Sequence, residues 1–233
     1  MVYLSRYFVI TYFRSFRFIP PVAVFCLWVV IFYTYSQKDI MNSYLISSIV
    51  VYLISAWLTH SMFHREDHSE RAIILTHIKS KMKFLLSKNI AVLVYGSLLI
   101  IFAIVYPLIL NGFLTAPTIS VIIVSIISHV LLCQLGVIVG MFFAVTKHSQ
   151  YHWLATCLVL MVSLVTEAVA NGIPTFLAWI LWLLPPINNI VHIHNFGDSF
   201  IINTTIIQNY IIVISYIIIA SSIIVYRFKK FEY

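Results

Sequence analysis

The sequence predicts an all-α polytopic membrane protein, because it is strongly apolar, sparsely charged and divided into several long hydrophobic runs. Of its 233 residues, 62% are hydrophobic and only 9% are charged, and the mean hydropathy is +1.01. Soluble domains carry about 45–50% apolar and about 25% charged residues. One spanning helix takes about 20 apolar residues. Six spans therefore leave no room for a soluble domain of useful size, and a water-soluble enzyme is excluded.

The amino-terminal segment, 1–18, predicts an amphipathic interfacial helix, which precedes a single transmembrane domain over 19–233. On a helix, Arg6, Arg14 and Arg17 fall within an arc of about 80°, and aromatic and aliphatic side chains fill much of the remainder. Such a helix lies in the membrane surface. The segment has no long apolar core and no small-residue cleavage site, which argues against a removable signal peptide.

Six apolar runs predict the membrane spans. The first opens at Pro20-Pro21, and proline is tolerated in the first turn of a helix. Asn111-Gly112 and Pro117 form a turn between the third and fourth runs. The predicted spans cover about residues 19–35, 44–63, 90–110, 118–145, 153–171 and 206–226.

The segment between spans five and six predicts a re-entrant or interfacial hairpin. Pro174 and the pair Pro185-Pro186 bracket a ten-residue apolar run, which is too short to cross about 30 Å of hydrocarbon as a helix. Trp179 and Trp182 would then lie at headgroup level, where indole rings are favoured.

Charge asymmetry predicts that both termini face the cytoplasm. With the amino terminus inside, 13 of the 14 Lys and Arg residues lie on the inner face and Lys38 alone lies outside, as the positive-inside rule requires. The net charge of +7 is thereby explained by the anionic membrane surface, so nucleic-acid binding is not implied. We expect a multi-pass protein of the cell membrane, and the isoleucine-rich composition would suit an AT-rich bacterial genome.

The longest cytoplasmic connection, residues 64–89, predicts a short amphipathic helix on the inner face. Its acids come early and its lysines come late, as the helix dipole prefers. One apolar stripe recurs at helical spacing, formed by Ile74, Ile78, Met82 and Leu85. Two interpretations stay open: a loop that only satisfies the positive-inside rule, or a docking surface for a soluble partner.

The layout of the chain resembles the permease subunit of an ABC-2-type exporter. The resemblance lies in the basic aromatic helix before span one, the charged segment after span two, the six-span plan and the broken hairpin before span six. It implies that the amino-terminal helix is an elbow helix anchored by Arg6, Arg14 and Arg17. It also implies that the segment after span two is a coupling helix, with Glu66, Glu70, Arg71 and His77 at or near an ATP-binding subunit.

The same resemblance implies partners and cofactors. The partners would be cytoplasmic ABC ATPase subunits, a second permease subunit in a homo- or heterodimer, and membrane lipid. ATP and Mg²⁺ would be bound by the ATPase subunit, with no cofactor in this chain. The chain also resembles subunits of bacterial exporters for amphipathic peptides, such as the phenol-soluble modulin exporters.

A few polar residues fall inside the apolar runs. Glu167 lies deep in predicted span five, and an isolated carboxylate in lipid costs a few kcal/mol. It would therefore line a translocation path with His129 and Gln134 as partners, or it would be solvated at the outer interface. Gly136 and Gly140 form a GxxxG pattern, which allows close helix approach. Packing within one subunit is favoured over a subunit interface.

Metal binding and N-glycosylation receive little support from the sequence. The pairs His64/His68 and His192/His194 each lack a convincing third and fourth ligand, so no metal site is expected. Asn203-Thr204-Thr205 matches the glycosylation pattern, which matters only in a secretory pathway. The three cysteines form no metal or disulfide motif.

Three functions remain to be weighed. No phosphate loop of the G-x-x-x-x-G-K-[ST] type occurs, so we expect no ATPase site in this chain. The resemblance implies a transport subunit that moves its substrate outward, and the few charges in the predicted spans favour a lipophilic or amphipathic substrate. The alternative is a six-span substrate-binding subunit of an importer, with an outward pocket near His192, His194, Asn195 and Asp198. An intramembrane enzyme would rest on Glu167 and His129 alone.

Overall fold

The computed structural model describes residues 1–34, 39–66, 68–145, 151–166, 178–194 and 204–230. The regular elements of this part are all helices. They are α1 (Val2–Arg14), α2 (Ile19–Thr34), α3 (Ile40–Phe63), α4 (His68–Ile78), α5 (Lys81–Ile109), α6 (Ile119–Val145), α7 (His152–Leu164), α8 (Ile187–His194) and α9 (Thr204–Lys230), with a 3-10 helix (Ala178–Leu183) before α8.

Four of these helices are long and apolar enough to cross a membrane, namely α3, α5, α6 and α9. The predicted spans two, three, four and six lie within or almost within them. By contrast, α2 has 16 residues and α7 has 13, about 24 Å and 20 Å of helix against about 30 Å of hydrocarbon. The long helices are compatible with a multi-pass membrane protein. The expectation of six spans stays a prediction, and residues 167–171 lie outside the described part.

The amino-terminal region is two helices with a bend of 78° between them. The interfacial helix expected over residues 1–18 ends at Arg14, because Phe16 adopts a left-handed backbone with φ 56°. A continuous α-helix cannot pass through that conformation. If α1 and α2 form one broken span, the described part contains up to five spans. Arg17 therefore lies on the turn and not on the same helix as Arg6.

The centre of the bundle is the pair α3 and α6, which pack closely through the GxxxG pattern. A Cβ atom added at Gly136 would collide with the carbonyl oxygen of Tyr52 and the hydroxyl of Ser55, and one at Gly140 would lie 2.8 Å from the carbonyl oxygen of Ala56. Glycine lets the backbones approach this far. The GxxxG pattern therefore brings together two helices of the same chain, which is the use that the sequence favoured over a subunit interface.

Burial differs strongly between the long helices. In the apolar window of α3, 67% of residues are buried inside the protein, whereas in α9 only 17% are. Helix α3 tolerates this central position because its buried serines bond to its own backbone, as Ser43, Ser48 and Ser55 do to Ile40, Leu45 and Tyr52. Such bonds satisfy hydroxyl groups away from water.

The segment expected to form one amphipathic helix after α3 is divided in two. Lys79 has a left-handed φ of 53°, and the Ser80 hydroxyl then accepts a hydrogen bond from the Lys83 backbone N–H at 3.3 Å. This is an N-cap that starts a new helix. Helix α5 thus begins at Lys81, well before the predicted span at residue 90, and the apolar stripe of residues 74–85 is shared between α4 and α5.

The region before α9 contains a helix that the sequence did not predict. Helix α8 buries Ile187, Ile190 and Ile193, a three-residue spacing that places them on one face. The 3-10 helix before it meets the middle of α9, since the Tyr216 hydroxyl donates to the Leu183 carbonyl oxygen at 2.8 Å. Residues 174–177 of the expected hairpin lie outside the described part.

Candidate functional site

A buried ion pair joins the end of α3 to the start of α5. The Lys88 Nζ atom lies 2.8 Å from Glu66 Oε2, and the two side chains are 0% and 1% exposed. Aromatic rings surround the ammonium group, with the centroids of Phe63, Phe84 and Phe8 at 4.3, 4.9 and 5.4 Å. Cations within about 6 Å of a ring centroid are stabilised by its π face. The pair therefore connects α1, α3 and α5 at one point.

Local structure explains how these groups meet. Glu66 follows the end of α3 at Phe63, and Lys88 lies two turns into α5, with Phe84 one turn before it. Helix α1 contributes Phe8, whose ring meets Phe84 edge-on at 5.5 Å. Because removing one member of a buried pair leaves an uncompensated charge, breaking it costs about 3–5 kcal/mol.

A second set of contacts holds α4 against α1. Glu70 Oε1 accepts from Arg65 Nη2 at 2.8 Å and from the Tyr7 hydroxyl at 3.2 Å. Arg71 donates from Nη2 to the Phe63 carbonyl oxygen at 3.0 Å. Three of the four predicted coupling residues, Glu66, Glu70 and Arg71, thus have partners within this chain and connect neighbouring elements.

The outer side of α4 carries the fourth predicted residue, His77. Its Nδ1 atom lies 3.1 Å from the Ile73 carbonyl oxygen of the same helix, and its side chain is exposed. Ile73 is 60% exposed, while Ile74 and Leu75 pack on the core. The exposed residues recur at helical spacing and form what we call the α4 face: Ser69, Ala72, Ile73, Thr76 and His77.

The predicted elbow residues lie on α1 and on the turn that follows it. Arg6 and Arg14 are exposed on α1, and Arg17 donates from Nη1 to the His64 carbonyl oxygen at 3.3 Å. The opposite side of α1 is fixed to α5, since the Tyr95 hydroxyl donates to the Val9 carbonyl oxygen at 2.9 Å. One side of helix α1 therefore rests on protein, whereas Tyr3 and Phe13 stay exposed on it together with Arg6 and Arg14. The expectation of an interfacial helix stays a prediction.

The end of α9 meets the start of α5. Lys81 Nζ donates to the Lys229 carbonyl oxygen at 3.3 Å, and the rings of Phe84 and Phe228 stack with centroids 5.8 Å apart. Phe84 thus touches both the ion pair and α9. We call Tyr7, Arg65, Glu66, Glu70, Arg71, Phe84 and Lys88 the brace.

The residues predicted for a translocation path do not form one cluster in the described part. His129 is fully buried between α3 and α6, where its Nε2 atom lies 2.9 Å from the Ser47 hydroxyl and its Nδ1 atom 2.7 Å from the Ser125 carbonyl oxygen. Gln134 is half-buried, and its Oε1 atom has no hydrogen-bond partner among the described residues. Glu167 lies outside them. His129 is thus held by serine and backbone groups.

The two histidines predicted near the outer pocket, His192 and His194, lie in different environments. His194 is buried, with Nδ1 2.9 Å from the Met41 carbonyl oxygen and Nε2 3.0 Å from the Ser128 hydroxyl. Burial lowers the pKa of His194 to about 4, although its bond to Met41 acts in the opposite direction. His192 instead lines a groove. Asn195 and Asp198 lie outside the described part, in which no group of three metal-ligand side chains occurs.

The groove beside His192 has a volume of about 910 Å³, within the usual range of about 300–1,000 Å³ for small-molecule sites. It runs between α6, α7, the 3-10 helix, α8 and α9. Its described walls are mainly apolar and include Ile138, Val139, Phe142, Phe143, Val159, Leu181, Pro185, Ile212, Ile219, Ala220 and Ile223, with Thr166, Asn188, Asn189, His192, Ser215 and Tyr216 as polar members.

Sequence reasoning did not single out Tyr7, Phe8 or Phe84 as members of a site. They looked like ordinary residues of a membrane-surface helix and of a span. The centre of the brace could have been recognised from Lys88, because a cation lies there just before the long apolar run that starts at Ile90. Its partner Glu66 could not be identified without the turn at Lys79.

Comparisons with models of protein families, with curated proteins and with solved structures find no match to this chain.

Proposed function

We propose that this chain is the transmembrane permease subunit of an ATP-driven exporter, powered by a separate ATP-binding subunit and moving a lipophilic or amphipathic substrate out of the cell. In this proposal the protein resides in a bacterial cell membrane with both termini in the cytoplasm. It dimerises with a second permease subunit, and ATP and Mg²⁺ are bound by the partner.

The observation that carries the proposal is the exposed α4 face on a helix that the brace ties to three other elements. A surface that only satisfied charge rules would not need Glu70 to bridge Arg65 and Tyr7, nor a buried pair between Glu66 and Lys88. A helix that receives a force must be fixed to the elements that it moves. The brace provides that fixation.

The proposed mechanism follows the contacts outward from α4. Closure of the ATPase subunits displaces α4 through Ile73 and His77. Glu70 transmits the displacement to α1 through Tyr7, and residues 64–66 transmit it to α5 through Lys88. The contact of Phe84 with Phe228 extends it to α9. Because packed elements switch between discrete arrangements, a small shift at one end can reorient whole spans.

The substrate class follows from the character of the helices. In the described part, both ion pairs lie in the brace, Arg65 with Glu70 and Lys88 with Glu66. Fixed charges that would hold a hydrophilic ion at membrane depth are costly and mark ion pathways where they occur. The large apolar groove instead suits molecules with hydrocarbon surface.

The experiment that tests the proposal is co-purification from native membranes. Ile73→Asp on the α4 face should abolish recovery of an ATP-binding protein, because it replaces the most exposed large apolar side chain of this face with a carboxylate. Leu114→Asp is the matched control, since Leu114 is 61% exposed in the connection between α5 and α6. Equal recovery with both variants would contradict the proposal.

The importer alternative predicts a different result. A substrate-binding subunit holds its ligand in an outward pocket without needing its ATPase, and His192 on the wall of the groove is the feature that favours it. Tight binding of a small polar ligand by the isolated chain would support this alternative.

A further inference from the structure

The inner part of the groove lies between α6 and α9 and ends beside a cation. Phe142 forms part of its wall, and the guanidinium carbon of Arg227 lies 5.0 Å from the centroid of the Phe142 ring. Both charge pairs found in the described part are made by other residues. Arg227 is thus a half-buried cation at the end of this inner part of the groove. We call the apolar stretch between α6 and α9 that ends at Arg227 the channel.

At the other end of this inner part, the Tyr216 hydroxyl donates a hydrogen bond to the Leu183 carbonyl oxygen. Arg227 follows Tyr216 by three turns on α9, which corresponds to about 16 Å of helix. One leaflet contributes about half of the roughly 30 Å hydrocarbon core. The stretch from Tyr216 to Arg227 therefore matches the thickness of one leaflet, and in a bilayer this would place the Arg227 guanidinium near the headgroups.

The channel is open to the lipid phase along α9. Ile219 and Ile223 line it and are still 60% and 47% exposed, and little of the apolar part of α9 is buried by protein. Hydrocarbon chains of the bilayer can therefore enter it sideways. An apolar channel with a guanidinium at its mouth matches a molecule with a hydrocarbon chain and an anionic head.

We propose that this channel is a binding site for an anionic phospholipid of the leaflet at the carboxyl end of α9, with one acyl chain between α6 and α9 and the phosphate on Arg227. Guanidinium groups bind phosphate through paired charge-assisted hydrogen bonds, and basic pockets between helices select anionic headgroups. The proposal goes beyond the transport function and holds whether or not the chain binds an ATPase.

The test uses the full chain, purified in mild detergent and reconstituted into phosphatidylcholine vesicles containing a fixed fraction of phosphatidylglycerol. After re-extraction, native mass spectrometry measures the phosphatidylglycerol that stays bound. Arg227→Gln should lower this amount about fivefold, the effect of one surface cation. Lys229→Gln removes the same charge on the opposite side of α9 and should leave it nearly unchanged. Equal losses in both variants would overturn the proposal.

A second pair of variants tests the channel itself. Ala220→Trp fills the channel and should also release the lipid, whereas Ile218→Trp, on a helix position outside the channel, should not. If Ala220→Trp changes the oligomeric mass and leaves the bound lipid unchanged, the channel holds a second copy of the chain and the proposal fails.

A fluorescence measurement tests the headgroup selectivity without changing Arg227. Trp182 lines the groove and is 81% exposed, and it is one of five tryptophans. Brominated acyl chains nearby should quench the part of the fluorescence that is lost in Trp182→Phe. Brominated phosphatidylglycerol should quench more strongly than brominated phosphatidylcholine at equal mole fraction. Equal quenching by the two lipids would overturn the headgroup selectivity on which the proposal depends.

Discussion

Glu66 and Lys88 form an ion pair at 2.8 Å although a complete helix, α4, separates them in the sequence. Both side chains are withdrawn from water, and the rings of Phe8, Phe63 and Phe84 occupy the space that solvent would take. The pair connects the end of α3 to α5 beside the bonds that Glu70 and Arg71 of α4 make, so it is the first target for mutation.

Removing one charge of the pair should destabilise the protein more than removing both. Glu66→Gln or Lys88→Met alone leaves a buried charge without a partner and should cost about 3–5 kcal/mol. The double variant Glu66→Leu/Lys88→Met should recover much of that loss. Unfolding in detergent, followed by tryptophan fluorescence, measures the difference. Additive losses would show that the two groups do not stabilise one another.

The close packing of α3 and α6 predicts unequal tolerance of alanine at two glycines. Gly136→Ala places a methyl group against the Tyr52 carbonyl oxygen, and overpacking of this kind costs about 1–3 kcal/mol. Gly112→Ala is the control, because its nearest neighbour is a Tyr33 ring atom at 3.3 Å that can shift. Similar thermal midpoints for both variants would mean that α3 and α6 are further apart.

Charge reversal in the brace should uncouple docking from membrane insertion. Glu70→Arg repels Arg65 and loses the bond from Tyr7, so α4 should shift and association with the proposed ATPase subunit should fall, with normal levels of protein in the membrane. Arg71→Glu should act in the same direction because it loses its bond to Phe63. Tyr7→Phe removes one weak bond and should have a smaller effect. Unchanged co-purification with both charge reversals would contradict this role.

The buried His194 predicts a loss of stability in acid. Because burial lowers the pKa of His194 from 6.5 to about 4, the unfolded chain binds a proton that the folded chain does not between these two values. The contribution of His194 to stability is therefore complete above pH 6.5 and decreases as the pH falls toward 4, with a limiting slope of about 1.4 kcal/mol per pH unit.

The measurement compares thermal midpoints of the wild type and His194→Gln from pH 7.5 to 4. Glutamine keeps polar groups near Met41 and Ser128 but does not titrate in this range. Other buried histidines are present in both proteins, so the difference between the two curves reports His194. Parallel curves would show that His194 is already protonated or exposed.

The long helices could be predicted from the sequence because apolar runs that are long enough to cross a bilayer have few structural alternatives in a membrane. Helix α6 begins at Ile119, one residue after the start of the predicted span 118–145, and ends at the same residue, Val145. The role of Gly136 and Gly140 also followed from local sequence, since small residues at this spacing mark a close helix contact.

The brace and α8 could not be predicted in the same way. The pairing of Glu66 with Lys88 depends on the left-handed turn at Lys79, a residue type without a strong preference for that conformation. Helix α8 has only eight residues, too few to form alone in water. It is stabilised by burying its isoleucines and by the bonds of His194, which are tertiary contacts.

The most direct test of the central claim is photocrosslinking from the α4 face in intact cells. A photoreactive phenylalanine analogue at position 73 or 77 should crosslink to a cytoplasmic ATP-binding protein, and the same analogue at position 114 should not. Crosslinks from position 73 to extracellular material, or none to any nucleotide-binding protein, would contradict the account.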